Sequence, residues 1–250
     1  MRIVNVHVQG GLGNRLFQVL FGLAQARRYG AEFRISSASR NPHSALDYFD
    51  GLLAQFRPFV KPAGRIDRVI GERPDDVWRR IAYGCPFTAG VESVMYVGYF
   101  QSHHHFEDVV DRRRLSDMLG TAAAKARMGE IYPDATSKGL FVHVRRGDYK
   151  SPAHSVHDLD LRAYYERALR MAGERLPSGF RLYVVSDDIR HCKDDHVFRA
   201  FDDVVFVEGL DEVDTLYLMA ACSSSRFLRA GGNGIAVWKD STSTASARST

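Results

Sequence analysis

The chain has 250 residues, enough to bury one large or two small hydrophobic cores. Hydrophobic residues make up 45% and charged residues 26%, a balance typical of a folded globular protein and not of a disordered chain. The formal net charge is only +4, from 34 Lys and Arg against 30 Asp and Glu. This small excess favours an anionic small-molecule ligand over a nucleic acid, whose binding needs a clustered basic face.

The chain opens with a strand, a glycine loop and a helix, the first unit of a nucleotide-binding type of α/β layer. Residues 2–8 alternate as a β-strand, and Gly10-Gly11-Leu12-Gly13-Asn14 predicts a loop. Residues 15–29 carry apolar side chains at helical spacing, with Gly30 as the C-cap. The opening also lacks the long apolar run of a signal peptide or membrane span.

The next part is harder to assign, because five prolines interrupt residues 31–92. We expect loops and short helices there, on the acceptor side of a two-substrate site. Beyond it, predicted strands and helices alternate, which is typical of a parallel sheet. The strands are predicted at 94–100, 139–144, 181–185 and 204–207, and the helices at 107–119, within 121–138, at 159–176 and at 211–221.

Three consecutive histidines, His103 to His105, suggest a metal site at first sight. Neighbouring residues converge on one ion only when the chain curls and a carboxylate joins them. We therefore favour a helix start leading into Glu107, and predict neither a metal nor another cofactor. Cys85, Cys192 and Cys222 have no metal-ligand spacing, and their odd number favours a reducing compartment.

The glycine loop brings free backbone N–H groups to a helix start, where a phosphate or a sugar hydroxyl binds. Gly11, Gly13 and Asn14 are the candidate contacts. A tight turn between strand and helix explains the same residues equally well. The loop is not the dinucleotide-binding fingerprint, because the third glycine is missing from its place.

The segment His143-Val144-Arg145-Arg146-Gly147-Asp148-Tyr149 places two guanidinium groups at the end of an apolar strand. Two such groups can hold a diphosphate and neutralise the charge that develops on it as a leaving group. Asp148 would pair with one arginine or accept a hydrogen bond from a substrate hydroxyl. The alternatives are an ordinary strand end with salt bridges, and an Arg-Gly-Asp adhesion tripeptide, which the preceding buried strand disfavours.

A third polar cluster, Ser186-Asp187-Asp188, follows another predicted strand. It is suited to binding a ribose or a base edge. A helix N-cap with an acidic first turn explains the same residues, and both roles are compatible.

These segments resemble galactoside α-1,2-fucosyltransferases. The motifs occur in the order seen in that family: Gly10-Gly11-Leu12-Gly13-Asn14-Arg15-Leu16-Phe17-Gln18, Gly98-Tyr99-Phe100-Gln101-Ser102, His143 to Tyr149, and Val185-Ser186-Asp187-Asp188. The resemblance extends from residue 3 to about residue 222. It implies a GT-B-type fold of two Rossmann-like halves, GDP-fucose as donor, inversion at the anomeric carbon and no required metal.

By the same resemblance, Arg145 and Arg146 bind the donor diphosphate, and His143 and Asp148 brace the nucleotide and the arginines. Arg145, Arg146 and Asp148 form the candidate catalytic set, with no catalytic base assigned. The donor site is completed by Gly11, Gly13, Asn14, Ser186 and Asp187.

The sequence departs from the family at two places. Arg15 stands where the family usually has Gln, and residues 227–238 lack the family's final strand and paired tryptophans. We therefore expect an amino-terminal half at 1–125, a truncated donor-binding half at 126–225, and an atypical, partly disordered tail at 226–250.

The function expected from this resemblance is transfer of fucose to a galactose-ended oligosaccharide or a lipid-linked glycan. The rival interpretation is a catalytically impaired nucleotide-sugar or glycan-binding remnant of the same fold. In either case we expect no nucleic acid partner and no membrane span. The expected location is the cytoplasm, with the cytoplasmic face of a membrane as the alternative.

Overall fold

The computed structural model describes residues 1–39, 44–73, 83–110, 112–145, 161–176 and 178–223. The chain forms two compact units, Met1–Gly120 and Thr121–Thr250. Each unit contains its own parallel β-sheet with helices packed against it.

The part of the amino-terminal unit that the structure describes contains four strands in the order β2-β1-β4-β3, all parallel to their neighbours. The strands are β1 (Ile3–Val8), β2 (Glu32–Ala38), β3 (Arg68–Gly71) and β4 (Ser93–Val97). The α-helices are α1 (Leu12–Arg28) and α2 (Arg112–Met118), and three short 3₁₀ helices span Tyr48–Asp50, Ala54–Phe59 and His103–His105.

Helix α1 lies close against the sheet because Gly22 faces it without a side chain. A Cβ atom at Gly22 would lie 2.7 Å from the Phe33 ring and 3.2 Å from Val6 Cβ. Val4, Val6 and Val8 of the central strand β1 are fully buried. The helix ends as predicted, with Gly30 in the left-handed conformation (φ 58°) directly after its C-cap residue.

In its described residues, the carboxyl-terminal unit contains three parallel strands in the order β5-β6-β7. They are β5 (Gly139–Val144), β6 (Arg181–Ser186) and β7 (Val204–Phe206). The helices are α3 (Thr121–Ile131), α4 (Ala135–Lys138), α5 (Arg162–Arg175), α6 (Ile189–Asp194), α7 (His196–Arg199) and α8 (Glu212–Ala221).

Alternate residues of β5 and β6 point to opposite faces of this sheet, and helices cover both. Leu140 and Val142 belong to one buried cluster with Leu169 of α5. Phe141 belongs to a second cluster with Leu218 of α8. Burial on both faces explains why these strands read as continuous apolar runs in the sequence.

The prediction of an α/β protein with parallel sheets is confirmed. The prediction of only loops and short helices across residues 31–92 is wrong, because β2 and β3 lie there. Strand β3 has four residues at the sheet edge, where Val69 is 65% exposed, so no apolar periodicity marks it. The helix predicted at 107–119 is also shorter, since turns occupy its first residues and α2 begins at Arg112.

Among the residues that the structure describes, no helix is long and apolar enough to cross a membrane. The GT-B arrangement and the domain limits at 125 and 225 stay predictions. Arg146, Asp148, the proposed truncation and the tail at 226–250 lie outside the described residues.

Candidate functional site

At the carboxyl edge of the second sheet, candidate residues from two neighbouring strands lie side by side. Val144 is paired in register with Ser186, so Arg145 and Asp187 are the next residues along the two strands. Both side chains are exposed. Because parallel strands end at the same edge of a sheet, this arrangement brings a cation and an anion to the usual ligand-binding edge of an α/β fold.

His143 lies on β5, two residues before Arg145, and its burial favours the neutral imidazole. Burial lowers the pKa of His143, the nearby Asp187 carboxylate raises it, and the Arg145 guanidinium lowers it further. The interaction with both charges shows that His143, Arg145 and Asp187 share one electrostatic environment. A neutral imidazole can donate at one nitrogen and accept at the other.

Tyr165 of α5 is hydrogen-bonded to the backbone at the end of β5. Its hydroxyl donates to the backbone carbonyl of His143, with an O to O distance of 3.5 Å. Burial raises the pKa of Tyr165 to about 12, so the phenol stays protonated and remains a donor. Its ring also packs against Phe198.

The two roles open to the cluster after β6, ligand binding and helix capping, fall to different residues of Ser186, Asp187 and Asp188. Asp188 is the N-cap of α6, and its carboxylate accepts from the backbone N–H of His191 at 3.4 Å. Ser186 Oγ accepts from the backbone N–H of Asp188 at 2.9 Å. The capping interpretation therefore applies to Asp188, while the Asp187 side chain is exposed at the sheet edge.

The glycine loop occupies the corresponding edge of the first sheet, after β1. Gly11 is the N-cap residue of α1, while Gly13 and Asn14 lie in its first turn, so the helix starts earlier than predicted. Gly10 has φ 76°, and a Cβ atom there would lie 2.5 Å from Asn14 Nδ2. The Asn14 carbonyl oxygen accepts from the Gln101 amide, which joins this loop to the segment after β4.

Arg15 and Gln18 hold the glycine loop from the helix side. Arg15 is 7% exposed; its Nε donates to the Gly10 carbonyl at 2.9 Å, and its guanidinium also donates to the Ser39 carbonyl after β2. Gln18 is fully buried, and its amide pairs with both backbone groups of Gln9. Arg15 therefore links the strand ends after β1 and β2.

Glu72, which no sequence pattern marks, organises the segment after β4. Its carboxylate oxygens accept from the backbone N–H groups of Tyr99 and Phe100, at 2.6 and 2.8 Å. Phe100 is in the left-handed region with φ 50°, an uncommon conformation for a non-glycine residue. A Cβ atom at Gly98 would lie 2.3 Å from Glu72 Cβ, so glycine is needed for this close approach.

A cavity of about 730 Å³ opens beside the glycine loop in the amino-terminal unit. Its lining combines hydroxyl, charged and aromatic side chains, including Arg15, Ser36, Asp47, Tyr48 and Lys61. The Arg15 guanidinium carbon lies 5.9 Å from the centre of the Tyr48 ring. A cavity of this size and polarity suits a small polar ligand such as a sugar.

The family model described as glycosyl transferase family 11 matches residues 78–232, more than half of the chain. The chain belongs to this family. The match includes Arg145 and the strand ends around it, and it confirms the resemblance to this group of transferases.

The individual proteins that resemble this family 11 protein share less than a quarter of its residues. The α-1,2-colitosyltransferase of Escherichia coli is 24% identical over 239 residues, which cover 88% of this chain and 81% of the relative. The structure of the fucosyltransferase NodZ from Bradyrhizobium matches at 12% identity and a TM-score of 0.40, covering 89% and 82% of the two chains. NodZ α-1,6-fucosyltransferase soaked with GDP-fucose matches at 13% identity and a TM-score of 0.37, covering the same shares.

The structure of this family 11 protein gathers the predicted residues into two sets, each within its own unit. His143, Arg145, Ser186 and Asp187 lie at the edge of the second sheet. Gly11, Gly13 and Asn14 lie at the edge of the first. Their roles toward the donor stay predictions, as do those of Arg146 and Asp148, which lie outside the described residues.

Proposed function

We propose that this family 11 glycosyltransferase transfers L-fucose from GDP-fucose to a galactose hydroxyl of a glycan acceptor, forming an α-1,2 linkage with inversion. The observation that carries the proposal is the position of Arg145 beside Asp187 at the carboxyl edge of β5 and β6, inside the segment that matches the family. The order of the four sequence motifs supports fucose as the sugar. The name of the E. coli relative supports the α-1,2 linkage.

The chemistry assigned to Arg145 is stabilisation of the leaving group. When the acceptor oxygen attacks the anomeric carbon and the bond to the donor phosphate breaks, negative charge moves onto the departing diphosphate. A guanidinium can donate two parallel hydrogen bonds to those oxygens and is always charged at neutral pH. Because it is in place before the reaction, it stabilises the transition state more than the ground state.

His143 and Asp187 are assigned to the nucleotide part of the donor. A neutral imidazole beside the arginine can donate to a phosphate or ribose oxygen without adding a second full charge. The exposed Asp187 carboxylate can accept from ribose hydroxyls or from amino groups of the guanine edge. With the leaving-group charge balanced by arginine, the proposed reaction requires no metal ion.

The acceptor is assigned to the cavity beside the glycine loop. Ser36, Asp47 and Lys61 line this cavity and offer hydrogen-bond partners for sugar hydroxyls. The acceptor hydroxyl must lose a proton as its oxygen attacks, and we assign no residue to that step. A terminal galactose of an oligosaccharide or lipid-linked glycan fits the cavity volume.

The test combines binding and turnover on the same preparation. Calorimetry with GDP measures donor-site binding, and incubation with GDP-fucose and lactose measures GDP release, with the product linkage assigned by NMR. An α-1,2-fucosylated product with stoichiometric GDP release is the expected result. GDP binding without product would favour the binding remnant, and failure to bind GDP would overturn both interpretations.

A further inference from the structure

The three consecutive histidines have two different environments. His105 is 3% exposed, and its ring packs edge-on against Phe21 at 5.4 Å between ring centres. His103 and His104 are instead about 40% exposed, and both lie beside the Glu107 carboxylate. We propose that His103, His104 and Glu107 bind one divalent metal ion of the zinc class.

The geometry meets the condition that the sequence alone left open, since the chain curls and a carboxylate joins the two imidazoles. His104 Nδ1 lies 2.8 Å from Glu107 Oε1, and His103 Nε2 lies 3.5 Å from Glu107 Oε2. One ligand atom from each residue lies within 4.8 Å of the other two. Around a tetrahedral zinc ion the ligand atoms are about 3.3 Å apart, so small side-chain rotations would close the site.

The backbone holds these three side chains on one short turn. The N–H groups of Phe106 and Glu107 both donate to the His103 carbonyl, at 3.1 and 3.0 Å. Arg28 of α1 donates to the His105 carbonyl at 2.6 Å, which fixes the turn to the helix. A site built on a fixed turn loses less conformational entropy when the ion binds.

The donor set selects the ion. Two imidazole nitrogens and one carboxylate oxygen suit Zn²⁺ and its borderline neighbours, whereas Mg²⁺ and Ca²⁺ prefer oxygen ligands alone. The exposed side of the cluster leaves the fourth position to water. The turn follows Gln101, whose side-chain amide donates to Asn14, so a bound ion would also restrain the segment that contacts the glycine loop.

The inference does not depend on the proposed transfer reaction, because its test reads metal binding directly. The full chain, with any polyhistidine tag removed, is titrated with Zn²⁺ by calorimetry, and with Co²⁺ while the visible spectrum is recorded. We expect one ion per chain. Each of His103→Gln, His104→Gln and Glu107→Gln should weaken binding by at least about tenfold, a loss seen even when groups behind the ligands are removed.

The matched control is His196→Gln. His196 is also an exposed imidazole beside a carboxylate, 3.2 Å from Glu166 Oε1, and its loss should leave the affinity unchanged. Cys85→Ser is the second control, because Cys85 is an exposed free thiol. Unchanged thermal unfolding of the metal-free variants would show that they fold.

Three results would overturn the proposal. The first is the absence of stoichiometric binding in the unmodified chain. The second is stoichiometric binding that persists in the double variant His103→Gln, His104→Gln. The third is a thiolate-to-cobalt charge-transfer band that disappears in Cys85→Ser, which would assign the ion to the cysteine.

Discussion

Arg145 carries its positive charge at the end of β5, next to the exposed Asp187 carboxylate and above the neutral His143. In the proposed reaction this single guanidinium supplies much of the charge that balances the departing diphosphate. The value of such a group lies in its fixed position and its two parallel donors. A lysine ammonium has the same charge but cannot form the same pair of bonds.

Arg145→Ala should therefore raise the activation free energy by about 3 kcal/mol, which lowers kcat/KM for GDP-fucose more than a hundredfold. This is the loss typical of removing a preorganised donor to a developing anion. Arg145→Lys should recover little of it. Initial rates of GDP release measure both effects. Arg175→Ala is the control, since Arg175 is an exposed arginine in the last turn of α5. A Lys variant with near-native turnover would contradict the assignment.

His143 makes a prediction about stability and pH. Its folded-state pKa is lowered by burial, so below the ordinary value of about 6.5 the unfolded chain binds a proton that the folded chain does not. The stabilisation is complete above pH ~6.5 and is lost as the pH falls through this value toward the lowered pKa. One proton contributes at most about 1.4 kcal/mol per pH unit.

His143→Gln should flatten this part of the pH dependence. Urea unfolding at about pH 7.5, 6.5 and 5.5 measures it, with His196→Gln as the control substitution at an exposed histidine. Equal slopes for His143→Gln and the unmodified chain would show that His143 titrates alike in both states.

Among the secondary-structure elements, those predicted well have a local apolar pattern that marks them as buried. Strand β5 is an apolar run buried on both faces, and it occupies the predicted residues 139–144. Its polar end was predictable, because a parallel sheet places all strand ends with their charged residues at one edge. Arg145 and Asp187 could therefore be expected to lie together.

The elements and contacts that were missed depend on distant partners. Strand β2 does alternate, with Phe33 and Ile35 buried, but β3 has only four residues and forms because β4 offers it backbone hydrogen bonds. Glu72 reaches the segment after β4 from the end of β3, and Arg15 reaches the Ser39 carbonyl. No periodicity in the sequence marks such pairings, so neither the bracing of the glycine loop nor the cavity could be predicted.

Glu72→Ala tests how far one side chain holds an element in place. The substitution removes two charge-assisted hydrogen bonds to the backbone of Tyr99 and Phe100. It should lower the free energy of unfolding by about 2 kcal/mol, within the range for bonds to a charged group. Glu92→Ala, at a carboxylate that is 73% exposed, should change it by less than about 0.5 kcal/mol. Equal effects of the two substitutions would rule out this role for Glu72.

At the scale of the whole molecule, the proposed reaction and the proposed metal site use different residues. The three proposed metal ligands belong to the amino-terminal unit, and Arg145 belongs to the carboxyl-terminal unit. If the arginine supplies the positive charge, removing the ion should not remove activity.

Dialysis against EDTA should therefore leave the initial rate of GDP release within about twofold of the untreated rate, since the leaving-group charge is balanced by arginine. Elemental analysis before and after dialysis confirms that the ion has been removed. A lost activity that Mn²⁺ restores would place a metal in the reaction, and the acidic residues after β6 would be the first candidates for its ligands.

The parallel pairing of the first sheet also governs how the chain folds as it is synthesised. Strand β1 pairs with β2 and β4, and Ile3 lies opposite Ser93, which is made 90 residues later. Strand β3 also pairs with β4 and, among the described strands, forms no sheet pairs before β4 is made. At about 5–20 residues per second, synthesis of the 90 residues between Ile3 and Ser93 takes about 5–18 s. For that time the apolar side chains of β1 have only part of their final cover, so this strand is open to contacts with other molecules before its sheet is complete.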